Sequence, residues 1–172
     1  MKEIEDLYEQ CGKRIFNYFY YLTYDVQKAD DLTQETFYQA IVSIAGFKGK
    51  CSLKTWVYGI ARNVFLKSLR HKKHTVESMN ESYMETMPDE GQTPEEALIK
   101  KDRADMIRRT ICSLPENYAT LLILRDREGF SYQEVARITG MSEASVKVGI
   151  HRARMKFRDL YTKISDGVIT TQ

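Results

Sequence analysis

Cysteine and histidine are scarce in this chain of 172 residues, with three of each. Cys11, Cys51 and Cys112 lie far apart and form no CxxC pair, which argues against a disulfide framework and against a zinc site. His71 and His74 are three residues apart, but no nearby cysteine or carboxylate completes a ligand set. We therefore expect no metal and no other cofactor.

The signatures of common enzyme sites are also missing. The sequence has no phosphate-binding loop of the GxxxxGKS or GxxxxGKT type, no GxSxG nucleophile turn and no HExxH zinc motif. An enzyme is therefore the interpretation that the sequence supports least, and we expect no catalytic residues.

Long apolar runs are absent as well. The most apolar windows, residues 15–22 and 37–47, are too short or too interrupted to span a bilayer. The N-terminal Met-Lys-Glu-Ile-Glu-Asp is acidic and has no signal-peptide core. These features predict a cytoplasmic protein without membrane insertion.

Acidic residues are missing from one long window, and this gap is the most informative. Residues 36–76 contain eight Lys or Arg and no Asp or Glu. Residues 75–99 reverse the pattern with seven acids and no Lys or Arg, and residues 100–172 carry fourteen bases against nine acids. Solvated helix faces would explain any single run, but segregation on this scale indicates two basic surfaces separated by an acidic connector.

The first block of the sequence has clear helical periodicity. Apolar residues recur every three or four positions, as in the buried stripe of an amphipathic helix. Asp25 can cap a second helix, and Gly46 and Gly49 mark a loop before a third helix that runs from about Leu53 to Arg70. The predicted buried stripes are Ile4, Leu7, Cys11, Ile15, Phe19 and Leu22 in the first helix, Ala29, Leu32, Phe37, Ala40, Ile41 and Ile44 in the second, and Val57, Ile60, Ala61, Val64 and Phe65 in the third.

Residues 75–96 differ in composition, with two of the three prolines, a glycine and all seven acids of the acidic run. Such a segment buries too little apolar surface to offset chain ordering, so it predicts a flexible acidic linker. Its 22 residues, fully extended, would reach roughly 75 Å at about 3.4 Å each. Helix is expected to resume near Ala97 and to run to about Ser113, with Pro115 as the first residue of the next helix. The predicted fold is all-α, with two small helical domains at 1–74 and 97–172.

The second domain contains the pattern of a helix-turn-helix. Ser131 and Glu134 have the spacing of a capping box, which predicts the start of a short helix. Gly140 stands where the tight turn between two helices needs a positive φ angle. Together with Ala136 before it and Val146 after it, this glycine has helix-turn-helix spacing. A helical hairpin with a solvated basic face is the alternative.

The second helix of this motif carries the groups that major-groove reading requires. Polar side chains at its start can contact base edges, and basic side chains further along suit phosphates. Gly149 should cost this helix about 1 kcal/mol relative to alanine, and either it permits close backbone approach or it has no role. The candidate DNA-reading residues are Ser142, Glu143, Ala144, Ser145, Lys147, Val148, His151, Arg152 and Arg154.

Several separate motifs occur in a specific order. Those of the first block are Asp30-Asp31-Leu32-Thr33-Gln34-Glu35-Thr36-Phe37, Phe47-Lys48-Gly49 and Thr55-Trp56-Val57-Tyr58-Gly59-Ile60-Ala61-Arg62-Asn63. Those of the second block are Leu114-Pro115-Glu116, Arg127-Glu128-Gly129-Phe130-Ser131-Tyr132, Val146-Lys147 and His151-Arg152-Ala153-Arg154. The first set resembles region 2 and the second resembles region 4 of bacterial sigma factors, above all those of the extracytoplasmic-function (ECF) group. The resemblance covers nearly everything except the linker.

The resemblance implies a protein that binds core RNA polymerase and directs promoter-specific transcription initiation. One face of the second helix would dock on a coiled coil of the polymerase's largest subunit, where complementary charge steers association. The loop at 47–52 and the third helix would meet the −10 element, and the helix from Ser142 would read the −35 element. An anti-sigma partner is also expected, because members of this group are commonly held inactive by one. The implied polymerase-binding residues are Asp31, Gln34, Glu35 and Tyr38, and the implied −10 residues are Phe47, Lys48, Lys50, Lys54, Arg62, Asn63, Lys67 and Arg70.

The sequence leaves several alternatives open. Capturing an unstacked base needs an apolar wall and a hydrogen-bonding group, which Phe47 and Asn63 can supply, whereas Trp56 is favoured as a core residue over a stacking platform. Relatives often carry arginine where this chain has Gly59, which leaves the base preference open. A stand-alone helix-turn-helix regulator is the main rival, but it would leave the acid-free window unexplained.

Overall fold

The computed structural model describes residues 2–72 and 93–167, and within these two stretches all regular structure is helical. A short 3₁₀ turn (Ile44–Gly46) follows the second helix, and a π-helical turn (Ile123–Arg127) follows the fifth. The predicted all-α class is confirmed, while residues 75–92 of the predicted linker lie outside the described residues. The helices are α1 (Lys2–Thr23), α2 (Val26–Ser43), α3 (Leu53–Lys72), α4 (Pro94–Cys112), α5 (Glu116–Leu122), α6 (Tyr132–Thr139) and α7 (Glu143–Ser165).

Helices α1, α2 and α3 form an N-terminal lobe in which α2 packs on both neighbours. All six predicted stripe residues of α1 are buried, and Asp25 caps α2 by accepting a hydrogen bond from the Lys28 amide at 3.0 Å. The prediction for Ile41 is wrong, because its side chain is 49% exposed. Ile41 lies about 100° around the helix from the fully buried Ala40, which takes it off the packed face.

Helices α4 to α7 form a C-terminal lobe in which α4, α5 and α6 all pack on α7. Helix α4 begins at Pro94, three residues before the predicted Ala97. Thr93 and Glu96 form a capping box there, a sequence signal that the composition of the predicted linker obscured. Pro115 is the N-cap of α5 and not its first helical residue.

The turn chemistry of the helix-turn-helix is as predicted. The Ser131 hydroxyl accepts from the Glu134 amide at 3.1 Å, and the Glu134 carboxylate accepts from the Ser131 amide at 2.8 Å. Gly140 ends α6 with φ at +72°, and Ser142 caps α7 by accepting from the Ser145 amide. These local bonds fix how α7 leaves the turn.

The two lobes also pack on each other, through α1 with α4 and through α3 with α6. Within residues 2–72 and 93–167, no helix combines the length and the apolar character needed to cross a membrane.

Candidate functional site

One exposed face of α2 carries all four residues predicted to bind polymerase. Asp31, Gln34, Glu35 and Tyr38 are exposed and follow a three- and four-residue spacing. The polar members are held by hydrogen bonds along the helix, such as the 2.8 Å bond from the Gln39 amide to the Glu35 carboxylate. We name these four residues the α2 face.

An apolar patch lies next to this face, and sequence reasoning missed it. Tyr38 is 60% exposed, and Ile41 and Val42, one turn further on, are 49% and 63% exposed. Tyr8 of α1 is also exposed, and its ring meets the buried Phe37 ring edge-on at 4.8 Å. The sequence did contain a signal for this patch, because Val42 is an apolar residue that lies outside the predicted buried stripe of α2.

Apart from Phe47 and Lys48, which lie in the loop before α3, the residues predicted for the −10 element divide into two groups. Asn63, Lys67 and Arg70 line a groove of 660 Å³ between α2 and α3. Glu35 of the α2 face lines the same groove. The structure therefore brings together residues that the sequence had assigned to two different partners.

The loop before α3 positions an aromatic pair. The Phe47 and Trp56 rings are half-buried, and their centroids are 5.2 Å apart at an interplanar angle of 48°. Trp56 thus packs partly against the core, as favoured, and also supports Phe47. Lys48 is exposed on this loop.

The second group, Lys50, Lys54 and Arg62, contacts the C-terminal lobe. The Lys50 carbonyl accepts a hydrogen bond from Arg137 of α6. The Lys54 ammonium lies 4.5 Å from the centre of the Phe130 ring. The Arg62 guanidinium lies 4.0 Å from the Glu116 carboxylate.

Glu128 directly follows the π-helical turn, and its side chain joins the two lobes through hydrogen bonds. The sequence analysis did not identify this residue. Its carboxylate is only 8% exposed and accepts from the Arg14 guanidinium at 2.8 Å and from the Tyr58 hydroxyl at 2.7 Å. Burial, reinforced by the negative charge of Glu128, raises the pKa of Tyr58, so this phenol remains a hydrogen-bond donor. Because Arg14 and Glu128 are 114 positions apart, no local sequence pattern indicated the pair.

All nine DNA-reading candidates at the start of α7 are exposed. The opposite stripe of Val146, Ile150 and Ala153 is buried. Arg154 donates two hydrogen bonds to the Asp126 carboxylate, one of them at 3.0 Å, and these bonds raise its pKa.

The side chain of Lys147 lies over an aromatic ring. Its ammonium is 5.5 Å from the centre of the Tyr132 ring, and the Arg125 guanidinium is 4.5 Å from the same ring. Such cation–π contacts are worth about 0.5–1 kcal/mol at exposed sites.

Gly149 is explained by close packing. A Cβ atom on this residue would lie 2.7 Å from the Leu121 Cδ1 of α5. Of the two alternatives left by the sequence, close backbone approach is therefore correct.

Nowhere in residues 2–72 and 93–167 do three or more potential metal ligands cluster. The chemistry that these surfaces offer is ion pairing, hydrogen bonding and stacking, which suits macromolecular recognition.

Two family models match the chain. The model described as Sigma-70 region 2 matches residues 7–75, and the model described as Sigma-70, region 4 matches residues 104–157. The chain is similar to the RNA polymerase sigma factor YlaC of Bacillus subtilis (strain 168), with 35% identity over 93% of this chain and 92% of that protein. It is also similar to the ECF RNA polymerase sigma factor EcfG of Rhodopseudomonas palustris (strain TIE-1), with 33% identity over 81% of this chain and 74% of that protein.

Two solved structures share the fold. The sigma factor RpoE from Bartonella quintana, solved in complex with the anti-sigma factor NepR, matches with a TM-score of 0.73 and 21% identity over 94% of this chain and 98% of that one. CnrH, solved in complex with the cytosolic domain of CnrY, matches with a TM-score of 0.67 and 19% identity over 92% of this chain and 87% of that one.

Proposed function

Because the chain belongs to the sigma-70 family of RNA polymerase sigma factors, and within it to the ECF group, we propose that it binds core RNA polymerase and directs initiation at promoters through their −10 and −35 elements. Sigma factors are initiation factors and not catalysts, so the polymerase forms the phosphodiester bonds. The observation that carries the proposal is the presence, in one chain, of a region 2 lobe and a helix-turn-helix lobe with an exposed basic reading helix. Acting on polymerase and chromosomal DNA, such a protein works in the cytoplasm.

The start of α7 is assigned to the −35 element. Glu143 can accept from a cytosine amino group, and Lys147 can donate to guanine in the major groove. Arg152 is exposed and suits a phosphate, while Arg154 would exchange its bonds with Asp126 for a phosphate. The full set assigned to this element is Ser142, Glu143, Ala144, Ser145, Lys147, Val148, His151, Arg152 and Arg154.

The loop at 47–52 and α3 are assigned to the −10 element. Phe47, supported by Trp56, supplies the apolar wall against which an unstacked base can lie, and Asn63 supplies the donor and acceptor for its edge. Stacking of this kind is worth about 1–3 kcal/mol per base. The basic residues Lys48, Lys50, Lys54, Arg62, Lys67 and Arg70 hold the strand backbone.

The α2 face is assigned to core polymerase together with the neighbouring apolar patch. Charged and amide groups steer encounter and set the register, whereas exposed apolar side chains supply the area whose burial stabilises the complex. Ile41 and Val42 are the exposed apolar side chains that would be buried in the complex, beside the polar contacts of Asp31, Gln34 and Glu35.

An anti-sigma factor is proposed as a further partner, on the strength of membership in the ECF group. Affinity capture with the full chain as bait, followed by mass spectrometry, should recover core polymerase subunits and one additional small protein that prevents the chain from joining the polymerase.

The experiment that tests the proposed function is in vitro transcription with purified core polymerase on a panel of genomic promoters. With the chain added, RNA 5′ ends should map to defined positions that core polymerase alone does not use. The same 5′ ends with and without the chain would contradict the proposal.

A further inference from the structure

An aromatic side chain of α6 lies against the helix that is assigned to the −35 element. Tyr132 is the first residue of α6, and its half-buried ring packs against buried core residues. Two cations lie over this ring, the Arg125 guanidinium at 4.5 Å from its centre and the Lys147 ammonium at 5.5 Å. Tyr132 is not among the residues assigned to the −35 element, yet its ring contacts one that is.

The π-helical turn before α6 supplies the second cation on the ring. Arg125 of this turn also donates a hydrogen bond to the Phe130 carbonyl at 2.7 Å, which fixes its guanidinium. The next residue, Asp126, accepts two hydrogen bonds from Arg154, which lies two turns beyond Lys147 on α7. Single π-helical turns are frequent at functional sites. Here the turn directs two consecutive charged residues to the same flank of α7, one through the aromatic ring and one directly.

The ring contact orders a side chain that is otherwise flexible. The lysine ammonium is carried on a four-carbon stem, and fixing that stem only when DNA arrives would weaken binding. A ring that already holds the ammonium reduces this loss of freedom. Because a cation–π contact needs no hydrogen-bond acceptor, the three N–H donors of Lys147 stay available for a base.

The position of the contact in the helix-turn-helix suits this role. In such motifs the N-terminal residues of the second helix contact base edges, while the first helix crosses the DNA backbone. Lys147 is exposed near the start of the second helix, and Tyr132 begins the first. The ring therefore supports the lysine at the end of α7 that is assigned to the major groove.

We propose that Tyr132 is a positioning residue for −35 recognition, whose ring face holds the Lys147 ammonium towards one base pair while Arg125 keeps the ring in place. The inference rests on the proposed function, since it uses the assignment of Lys147 to the −35 element. A ring that only filled space beside α6 would need its shape alone. A ring that holds a cation also needs the negative charge of its face.

The test replaces Tyr132 with pentafluorophenylalanine, which keeps the shape of the ring but withdraws electron density from its face. The full chain is assembled with core polymerase on duplex promoters whose upstream protected stretch is randomised, and sequencing of the bound fraction gives the preference at each position. Where Lys147→Ala erases a preference, pentafluorophenylalanine should reduce it roughly two- to fivefold and leave the other positions unchanged. This factor corresponds to a contact of about 0.5–1 kcal/mol at about 1.4 kcal/mol per tenfold. Tyr132→Phe, which keeps the ring and its negative face, should match the parent chain.

Two controls separate positioning from packing. The same replacement at Tyr161, a half-buried tyrosine of α7 that stacks on Phe157, should leave every preference unchanged. In the Lys147→Ala background, pentafluorophenylalanine at position 132 should have no further effect, because the group through which it acts is gone.

Three results of the library experiment would overturn the proposal. The first is no change with pentafluorophenylalanine, which would show that the charge of the ring face has no role. The second is an equal loss at all positions, or the same loss with and without Lys147, which would show that Tyr132 only supports α6. The third is a loss in Tyr132→Phe as large as with pentafluorophenylalanine, which would assign the effect to the phenol hydroxyl.

Nuclear magnetic resonance tests the contact in the full chain without polymerase or DNA. The ε-methylene protons of Lys147, assigned by their absence in Lys147→Arg, should be shifted upfield by the aromatic ring relative to those of the exposed Lys163. Tyr132→Leu should abolish this shift, and an unshifted resonance in the parent chain would overturn the proposal. If Tyr132→Leu fails to fold by circular dichroism, the pentafluorophenylalanine variant decides through the library alone.

The two experiments distinguish failure of this inference from failure of the proposed function. A parent chain that shows no base preference at any position would remove the proposed function and the positioning role with it. Clear base preferences together with an unshifted Lys147 resonance would remove the positioning role alone.

Discussion

Among single residues, two glycines inside helices form a matched pair for mutation. An alanine Cβ at Gly59 of α3 would meet no atom within 4 Å, whereas at Gly149 of α7 it would lie 2.7 Å from a methyl group of the buried Leu121. Gly59→Ala should therefore raise the free energy of unfolding by about 0.5–1 kcal/mol through helix propensity. Gly149→Ala gains the same propensity but adds overpacking of about 1–3 kcal/mol, so its net effect should be destabilising.

Urea unfolding of the full chain, followed by circular dichroism, measures both glycine variants. Equal stabilisation by the two substitutions would show that α5 yields to the new methyl group, and it would remove the packing explanation for Gly149.

Among elements, α6 depends on its capping box, and this makes its stability depend on pH. The backbone hydrogen bond from Ser131 lowers the pKa of Glu134 below the usual carboxyl value of about 4.3. A carboxyl group whose pKa is lower in the folded state stabilises the fold above its unfolded pKa, and this stabilisation is lost as the pH falls through the folded value. Glu134→Gln keeps an acceptor for Ser131 but cannot titrate, so the variant should lose less stability between about pH 7 and about pH 3.

Thermal melts across that range, compared with those of Asp159→Asn, measure the contribution of Glu134. Identical acid sensitivity in Glu134→Gln and the parent chain would contradict a lowered pKa at this cap.

The exposed face of α2 gives a second prediction at this scale. Replacing Asp31 and Gln34 with alanine should abolish co-purification with core polymerase while the melting temperature stays within a few degrees, because both side chains are exposed. Asp102→Ala/Gln133→Ala, which makes the same change at exposed positions of α4 and α6, should leave co-purification intact. Loss of polymerase binding in both double variants, or in neither, would remove the docking assignment.

The elements were predictable from sequence where the determining interactions are local. The stripe of α1, the cap at Asp25 and the positive φ at Gly140 each depend on residues within a few positions. The start of α4 was missed, although Thr93 and Glu96 signal it, because the acidic, proline-containing composition around them was given more weight. Ile41 was placed in the core because its spacing fits the stripe, but exposure depends on which neighbouring helices cover it.

Over the whole molecule, the contacts between the lobes could not be predicted. The bonds of Glu128 join residues 70 and 114 positions apart, and their formation depends on how two folded lobes meet. For the same reason the sequence treated Lys54 and Arg62 as open to solvent and DNA, whereas the structure places them against Phe130 and Glu116. The sequence could therefore suggest candidate residues for each site, but it could not show which of those residues contact the other lobe.

Two separate helical modules on one chain are proposed to locate a start site together. The most direct measurement is a footprint of the reconstituted polymerase on one promoter from which it initiates, with the parent chain, with Lys147→Ala and with Lys163→Ala as a control on the last turn of the same helix. We expect two protected stretches with the parent chain. Lys147→Ala should lose only the upstream stretch and Lys163→Ala should lose neither, with polymerase association unchanged. Protection that stays complete in Lys147→Ala, or that disappears at both stretches along with polymerase binding, would contradict this expectation.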